Sequence, residues 1–179
     1  MKKGLKILDG KLLRNLLGLF LVLAVVIPAY AGSSDLATDI DAIMSKGPDN
    51  GNYHVGADDI YMWLKMKKTD FFVVDVRIGE NALNEYKTAH IPGAIYIPYN
   101  ELFKPENLEK LPKDKKIILV CAMGVTEALP VVSLRLLGYD AYGMLLGMAG
   151  WQKDYSAGEY VRGLIDAPKA KNYPLESSK

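Results

Sequence analysis

The run Ile117-Ile118-Leu119-Val120-Cys121 constrains this chain most tightly. It is apolar throughout, rich in β-branched residues and too short for a helix, so it reads as a strand buried on both faces. Strands of that kind belong to parallel sheets with helices packed on each side. The run ends in the only cysteine of the 179-residue chain. Ala122 to Thr126 then make a short loop containing Gly124, and Val131, Leu134 and Leu137 follow at helical spacing. Pro130 is tolerated only in a first turn, which starts the helix near Thr126 or Glu127, and Gly138 ends it. The sulfur therefore sits at the carboxyl end of a strand, where open α/β sheets bind ligands. It also faces the first turn of a helix, where free N–H groups and the macrodipole favour an anion. Such surroundings lower a thiol pKa, and the thiolate is the reactive form. The competing reading is a small, buried, inert hydrophobe.

Other segments fit the same α/β plan. Tyr53-His54-Val55 is a short strand, and Ala57 or Asp58 opens a helix whose core stripe is Ile60, Trp63, Leu64 and Met66. Phe71 to Val76 is a buried strand. Glu80 to Tyr86 is a short helix, and Ala94 to Ile97 a strand. Tyr99 to Phe103 and Pro105 to Leu111 are helical pieces, Tyr142 to Leu146 the last strand, and Ala149 to Tyr155 a short helix. Asp39 to Met44 allows one more short helix within a polar stretch, Gly32 to Asn52, read as a linker or surface extension.

The first 31 residues stand apart. Lys2, Lys3, Lys6, Lys11 and Arg14 precede an apolar run from Leu16 to Ile27, and Ala29-Tyr30-Ala31 offers a small-x-small cleavage site. These are the three parts of a secretory signal peptide, which places cleavage after Ala31 and the mature protein in a bacterial periplasm. The apolar run is shorter than the roughly 20 residues of a membrane-spanning helix, so no stable membrane anchor is expected after cleavage. Of the 22 basic and 21 acidic residues, five basic and one acidic fall in this segment. The remainder holds 17 and 20, a charge near −3, which argues against nucleic acid as a partner. One cysteine forms no internal disulfide, and two separated histidines with it, His54 and His90, give no metal spacing.

Cys121-Ala122-Met123-Gly124-Val125-Thr126 resembles the Cys-x-x-Gly-x-Arg/Thr loop of the rhodanese (sulfurtransferase) family. Val74-Asp75-Val76-Arg77, Glu85-Tyr86, Ala89-His90-Ile91-Pro92-Gly93-Ala94, Leu137-Gly138-Tyr139 and Gly147-Met148-Ala149-Gly150-Trp151 follow that family's order. The likeness runs from about Tyr53 to Lys153 and implies a single rhodanese-like three-layer domain over residues 53–179, with a central parallel sheet flanked by helices. It departs from the pattern in an insertion over about 153–171, before Tyr173-Pro174-Leu175. The resemblance implies that Cys121 is nucleophile and sulfur carrier and that Ala122 to Thr126 cradle the persulfide. Successive loop N–H groups make an anion nest, Gly124 permits the curl, the Thr126 hydroxyl donates to the outer sulfur and Val125 packs the loop down. Asp75 and Arg77 lie near the floor of the site, read as a structural acid–base pair, and His90 holds a turn with Pro92 and Gly93.

Ala122 and Met123 put no cation where thiosulfate-using relatives carry Arg or Lys. Weak thiosulfate use, or a less charged donor such as an organic persulfide, follows. A thiol, cyanide or a protein sulfur acceptor completes the exchange, with no cofactor. Glu127 would raise the thiol pKa if it lay close to it, and its side chain is expected to face solvent. A Cys-based phosphatase is excluded because the phosphate dianion needs a bidentate Arg where Glu127 stands. The alternative is a non-catalytic sulfur carrier or partner-binding module.

Overall fold

The computed structural model describes residues 35–155, 174 and 176–177. Residues 1–31, read above as a signal peptide, and nearly all of 153–171, read as an insertion, lie outside the described residues. The chain divides into two compact units, Met1–Met44 and Ser45–Lys179. A helix over residues 35–45, α1, makes up what is described of the first and reaches the boundary.

The second unit alternates strand and helix. A 3-10 stretch, Pro48–Tyr53, leads into β1 (His54–Val55), α2 (Ala57–Lys65), β2 (Phe71–Asp75), α3 (Ala82–Thr88) and β3 (Ile95–Tyr96). A 3-10 turn, Tyr99–Glu101, precedes α4 (Pro105–Leu108), β4 (Lys116–Val120), α5 (Ala128–Leu136), β5 (Asp140–Met144) and α6 (Gly147–Trp151). The five strands form one parallel sheet in the order β1-β5-β4-β2-β3. This is the α/β architecture expected, a parallel sheet flanked by helices.

β4 is the central strand, and its apolar residues Ile117, Ile118, Leu119 and Val120 are buried. Side chains alternate across a strand, so both faces need cover. Ile118 and Val120 join Ile60 of α2, Val73 of β2, and Met144 and Met148 near α6 in one core cluster. Ile117 and Leu119, out of phase by one residue, belong to the opposite face. At about 25 cal/mol per Å² of apolar surface, each such side chain stabilises the fold by roughly 1.5–3 kcal/mol.

Helix α5 keeps Pro130 in its first turn and closes as the sequence requires. Gly138 takes φ +79°, its N–H donates to the Arg135 carbonyl and the Tyr139 N–H to that of Leu134, a Schellman ending. Several boundaries differ from the sequence reading by two residues or more, such as α3 at Ala82–Thr88 rather than Glu80 to Tyr86, and two of the shifts bear on the site. Strand β5 starts at Asp140, not Tyr142, because the parallel ladder pairs Lys116 with Asp140 and their side chains meet at 3.1 Å. Helix α6 starts at Gly147, not Ala149, because its first N–H groups bond to a distant loop: Met148 to the Cys121 carbonyl and Ala149 to that of Ala122.

The strand order creates the site. From β2 the chain steps outward to β3, and from β4 it steps the other way to β5. The connections diverge between β2 and β4, which opens a crevice at the carboxyl ends of these neighbours. Asp75 ends β2 and pairs in register with Val120, and Cys121 follows immediately.

Candidate active site

Cys121 lies one residue beyond β4 and is 2% exposed. The loop curls back over its sulfur, and the Met123 and Gly124 N–H groups donate to Sγ at 3.4 and 3.1 Å. Among the described residues these two N–H groups form the nest, which has the donors an anionic sulfur needs. Gly124 makes the curl, with φ +79°. Thr126, expected to reach the sulfur, is half-buried and makes no hydrogen bond to it. Val125 corrects the sequence reading. It is 68% exposed and points away from the loop, because the left-handed turn at Gly124 directs the next side chain outward.

Backbone packs the loop down instead. A Cβ on Gly124 would stand 2.5 Å from the Leu146 nitrogen and 2.7 Å from its Cα. A Cβ on Gly147 would strike the Cys121 carbonyl. The Cys loop and the start of α6 therefore touch main chain to main chain, tied by the two α6 N–H bonds already described. Leu146 takes the left-handed conformation, φ +60°, to make this approach. Holding a branched side chain there costs about 1–2 kcal/mol. Leu145 and Leu146 extend the same rim and are half-exposed.

Glu127 overturns a second expectation. It is not solvent-facing but wholly buried, at 0% exposure, at the start of α5 beneath the loop. Both carboxyl oxygens are buried and neither has a hydrogen-bond partner. Burial pushes its carboxyl above the usual carboxylate range, while the Cys121 thiol, its own backbone N–H and the charge of His54 pull the other way. The side chain fits because Gly143 of β5 has none: a Cβ there would stand 2.8 Å from Glu127 Cγ and 3.5 Å from a His54 ring carbon. A glycine within a buried strand marks such a close approach, and that was the available signal in Tyr142-Gly143-Met144. Nothing local could have placed His54, which arrives from β1 at the far edge of the sheet.

The three supporting residues form a separate assembly. Asp75 and Arg77 are 1% and 2% exposed and joined by Nε and Nη2 contacts of 2.7 to 3.0 Å. The Arg77 backbone N–H also donates to Asp75. Arg77 Nη2 donates to the Ala89 carbonyl, and Nη1 reaches the Tyr155 hydroxyl, which donates to Glu85 at 2.7 Å. Burial opposes the guanidinium charge, but the Asp75 pair and Tyr155 outweigh it and raise its pKa further. This network clamps β2 to the turn before β3. His90 lies in that turn, exposed, stacked on Tyr86 at 4.2 Å and bonded to the Tyr86 carbonyl at 2.8 Å. A cleft of about 390 Å³ lies beside Arg77, Glu85 and Tyr155 and includes no residue of the Cys loop. Among the described residues, no group of three or more His, Cys, Asp or Glu could hold a metal ion.

Comparison with known proteins bears on this geometry. The family model described as Rhodanese-like domain matches residues 57–154. The "Adenylyltransferase and sulfurtransferase uba4" of Ogataea parapolymorpha is 31% identical over 83 residues, 46% of this chain and 20% of that protein. The "Probable adenylyltransferase/sulfurtransferase MoeZ" of Mycobacterium tuberculosis is 34% identical over 70 residues, 38% of this chain and 18% of that protein. The chain thus spans about a fifth of the curated relatives it matches. A solved rhodanese-like domain protein from Staphylococcus aureus is 30% identical, with 55% of this chain and 90% of that one covered and a TM-score of 0.48.

Proposed function

This chain belongs to the rhodanese-like domain family, and from that premise we propose that it transfers sulfane sulfur through a persulfide on Cys121. The observation that carries the proposal is the buried sulfur at the carboxyl end of β4, held by two N–H groups of its own loop. In the first step the Cys121 thiolate attacks the sulfane sulfur of the donor. A new S–S bond forms, the donor's bond to that sulfur breaks, and the leaving group takes the bonding pair. In the second step a thiolate or cyanide takes the outer sulfur and Cys121 leaves as thiolate. The N–H nest supports the negative sulfur in both states without placing a side chain in its path.

Donor selection follows from charge. Ala122 and Met123 are half-buried and carry no cation. With a carboxyl rather than an arginine beneath the loop, a thiosulfate dianion has no counter-charge here, so a less charged organic persulfide is the better donor. The proposal extends to a periplasmic setting, with residues 1–31 as a signal peptide cleaved after Ala31, residues 32–52 as a linker and residues 153–171 as an insertion in the domain. Half-exposed Leu145 and Leu146 beside Val125 favour a second reading, in which a protein partner docks on this rim and receives or supplies the sulfur.

The test is intact mass of the purified protein before and after thiosulfate or glutathione persulfide. A gain of one sulfur that cyanide removes, absent in Cys121→Ser, supports the mechanism, with the persulfide the faster donor. Turnover retained in Cys121→Ser defeats it. A pull-down comparing sulfur-loaded with sulfur-free protein tests the partner reading, and the starting mass shows whether the chain begins at Gly32.

A further inference from the structure

Glu127 has no structural occupation that explains it. A buried carboxyl with neither oxygen hydrogen-bonded is destabilising, so a chain that keeps one at the base of its Cys loop uses it or carries a liability. Three elements bring groups that bear on the carboxyl. The loop brings the Cys121 thiol, β1 brings His54, and β5 brings Gly143, which has no side chain to intervene. Cys121 is the hydrogen-bonding side chain that acts on it, yet no formed hydrogen bond joins the two in this resting geometry. The same sulfur accepts from the Met123 and Gly124 N–H groups, donors suited to a negative charge. The Cys121 thiol thus acts on a buried carboxyl that lacks a hydrogen-bond donor, while two loop N–H groups donate to its sulfur.

Resting on the reading of Cys121 as sulfur carrier, we propose that Glu127 is the proton acceptor of the Cys121 thiol. The S–H bond breaks, the proton passes to a Glu127 carboxylate oxygen, and the bonding pair stays on sulfur. The products are a thiolate facing the loop N–H groups and a neutral carboxylic acid in the buried pocket. Total charge is unchanged: it moves from an oxygen with no donors to a sulfur with two. Burial holds the carboxyl above its usual range, which makes it a stronger proton acceptor than an exposed carboxylate. The half-buried His54 supports the carboxylate form with its charge.

The experiment is the pH dependence of Cys121 alkylation by iodoacetamide in the full chain, which needs no sulfur donor. Proton exchange between the thiol and Glu127 would make the wild-type rate rise in two steps. Glu127→Gln keeps the volume and removes the acceptor. The variant loses the lower step and shows one, with alkylation at about pH 6 slowed about tenfold or more, given that a positioned base contributes about 10²-fold or more. A Gln profile that superimposes on wild type overturns the proposal. So does a variant that reacts faster at every pH, because the carboxylate then merely suppresses the thiolate. If Glu127→Gln does not fold, His54→Gln carries the test: the lower step moves to higher pH, and a step that stays put overturns the assignment. Mass analysis of the same samples separates the two readings. Cyanide-labile sulfur with an unmoved alkylation profile defeats the acceptor alone, and a moved profile with no sulfur uptake defeats sulfur transfer alone.

Discussion

Gly124→Ala tests whether backbone packing, rather than side chains, holds the Cys loop. Two costs add at this position. Alanine at φ +79° pays for a left-handed conformation, about 1–2 kcal/mol. Its Cβ then meets the Leu146 nitrogen at 2.5 Å and Cα at 2.7 Å, main-chain atoms that no rotamer change can move. Forced overpacking of this kind costs a further 1–3 kcal/mol or so. Gly138→Ala is the matched control, with the same φ of +79° and nothing within 4 Å of the new Cβ. It incurs only the first cost. Urea unfolding should therefore place Gly124→Ala about 1–3 kcal/mol below Gly138→Ala. The Gly124 N–H also donates to Cys121 Sγ at 3.1 Å, so iodoacetamide alkylation at fixed pH slows in Gly124→Ala and not in Gly138→Ala. Equal stabilities for the two variants, or an unchanged alkylation rate in Gly124→Ala, would refute the reasoning.

Asp75→Asn leaves the buried Arg77 guanidinium only the part-exposed Glu85 at 3.6 Å as counter-charge and should lower stability by about 3 kcal/mol in denaturant titration, with much of the loss recovered in Asp75→Asn/Arg77→Met. Glu127 makes stability depend on pH in a stated direction. Its folded carboxyl lies above the ordinary 4.5, so the native state keeps a proton that the unfolded chain releases. Its contribution is fully present below about 4.5 and is lost as pH rises through the raised value; Glu127→Gln should remove that decline, read as a pH series of urea midpoints. Arg135 lies 3.8 Å from the Tyr53 ring, and its Nη1 donates to the Ala141 carbonyl. Arg135→Lys should cost about 1 kcal/mol by thermal or urea unfolding, since an ammonium does not stack as the planar group does.

Much of this protein is written locally. An unbroken apolar run from Ile117 to Val120 has no stable place except the middle of a covered parallel sheet, so the fold class followed from one strand. Pro130 and Gly138 bracketed α5 because one fixes φ and the other frees it. The strand–Cys–helix order put Cys121 at the carboxyl end of β4, and Gly124 announced the curl over it. These are properties of neighbours in the chain, and period and backbone freedom express them. The tertiary structure decided what neighbours cannot. The Gly124 turn that sends Val125 outward is held by main-chain packing against Leu146 and Gly147, and Glu127 turns inward because Gly143 leaves a hollow between β1, β5 and the start of α5. His54, remote in sequence, meets Glu127 only because the strand order sets β1 beside β5. A side chain's direction of burial depends on the space its distant neighbours leave, and that space exists only after the sheet has assembled.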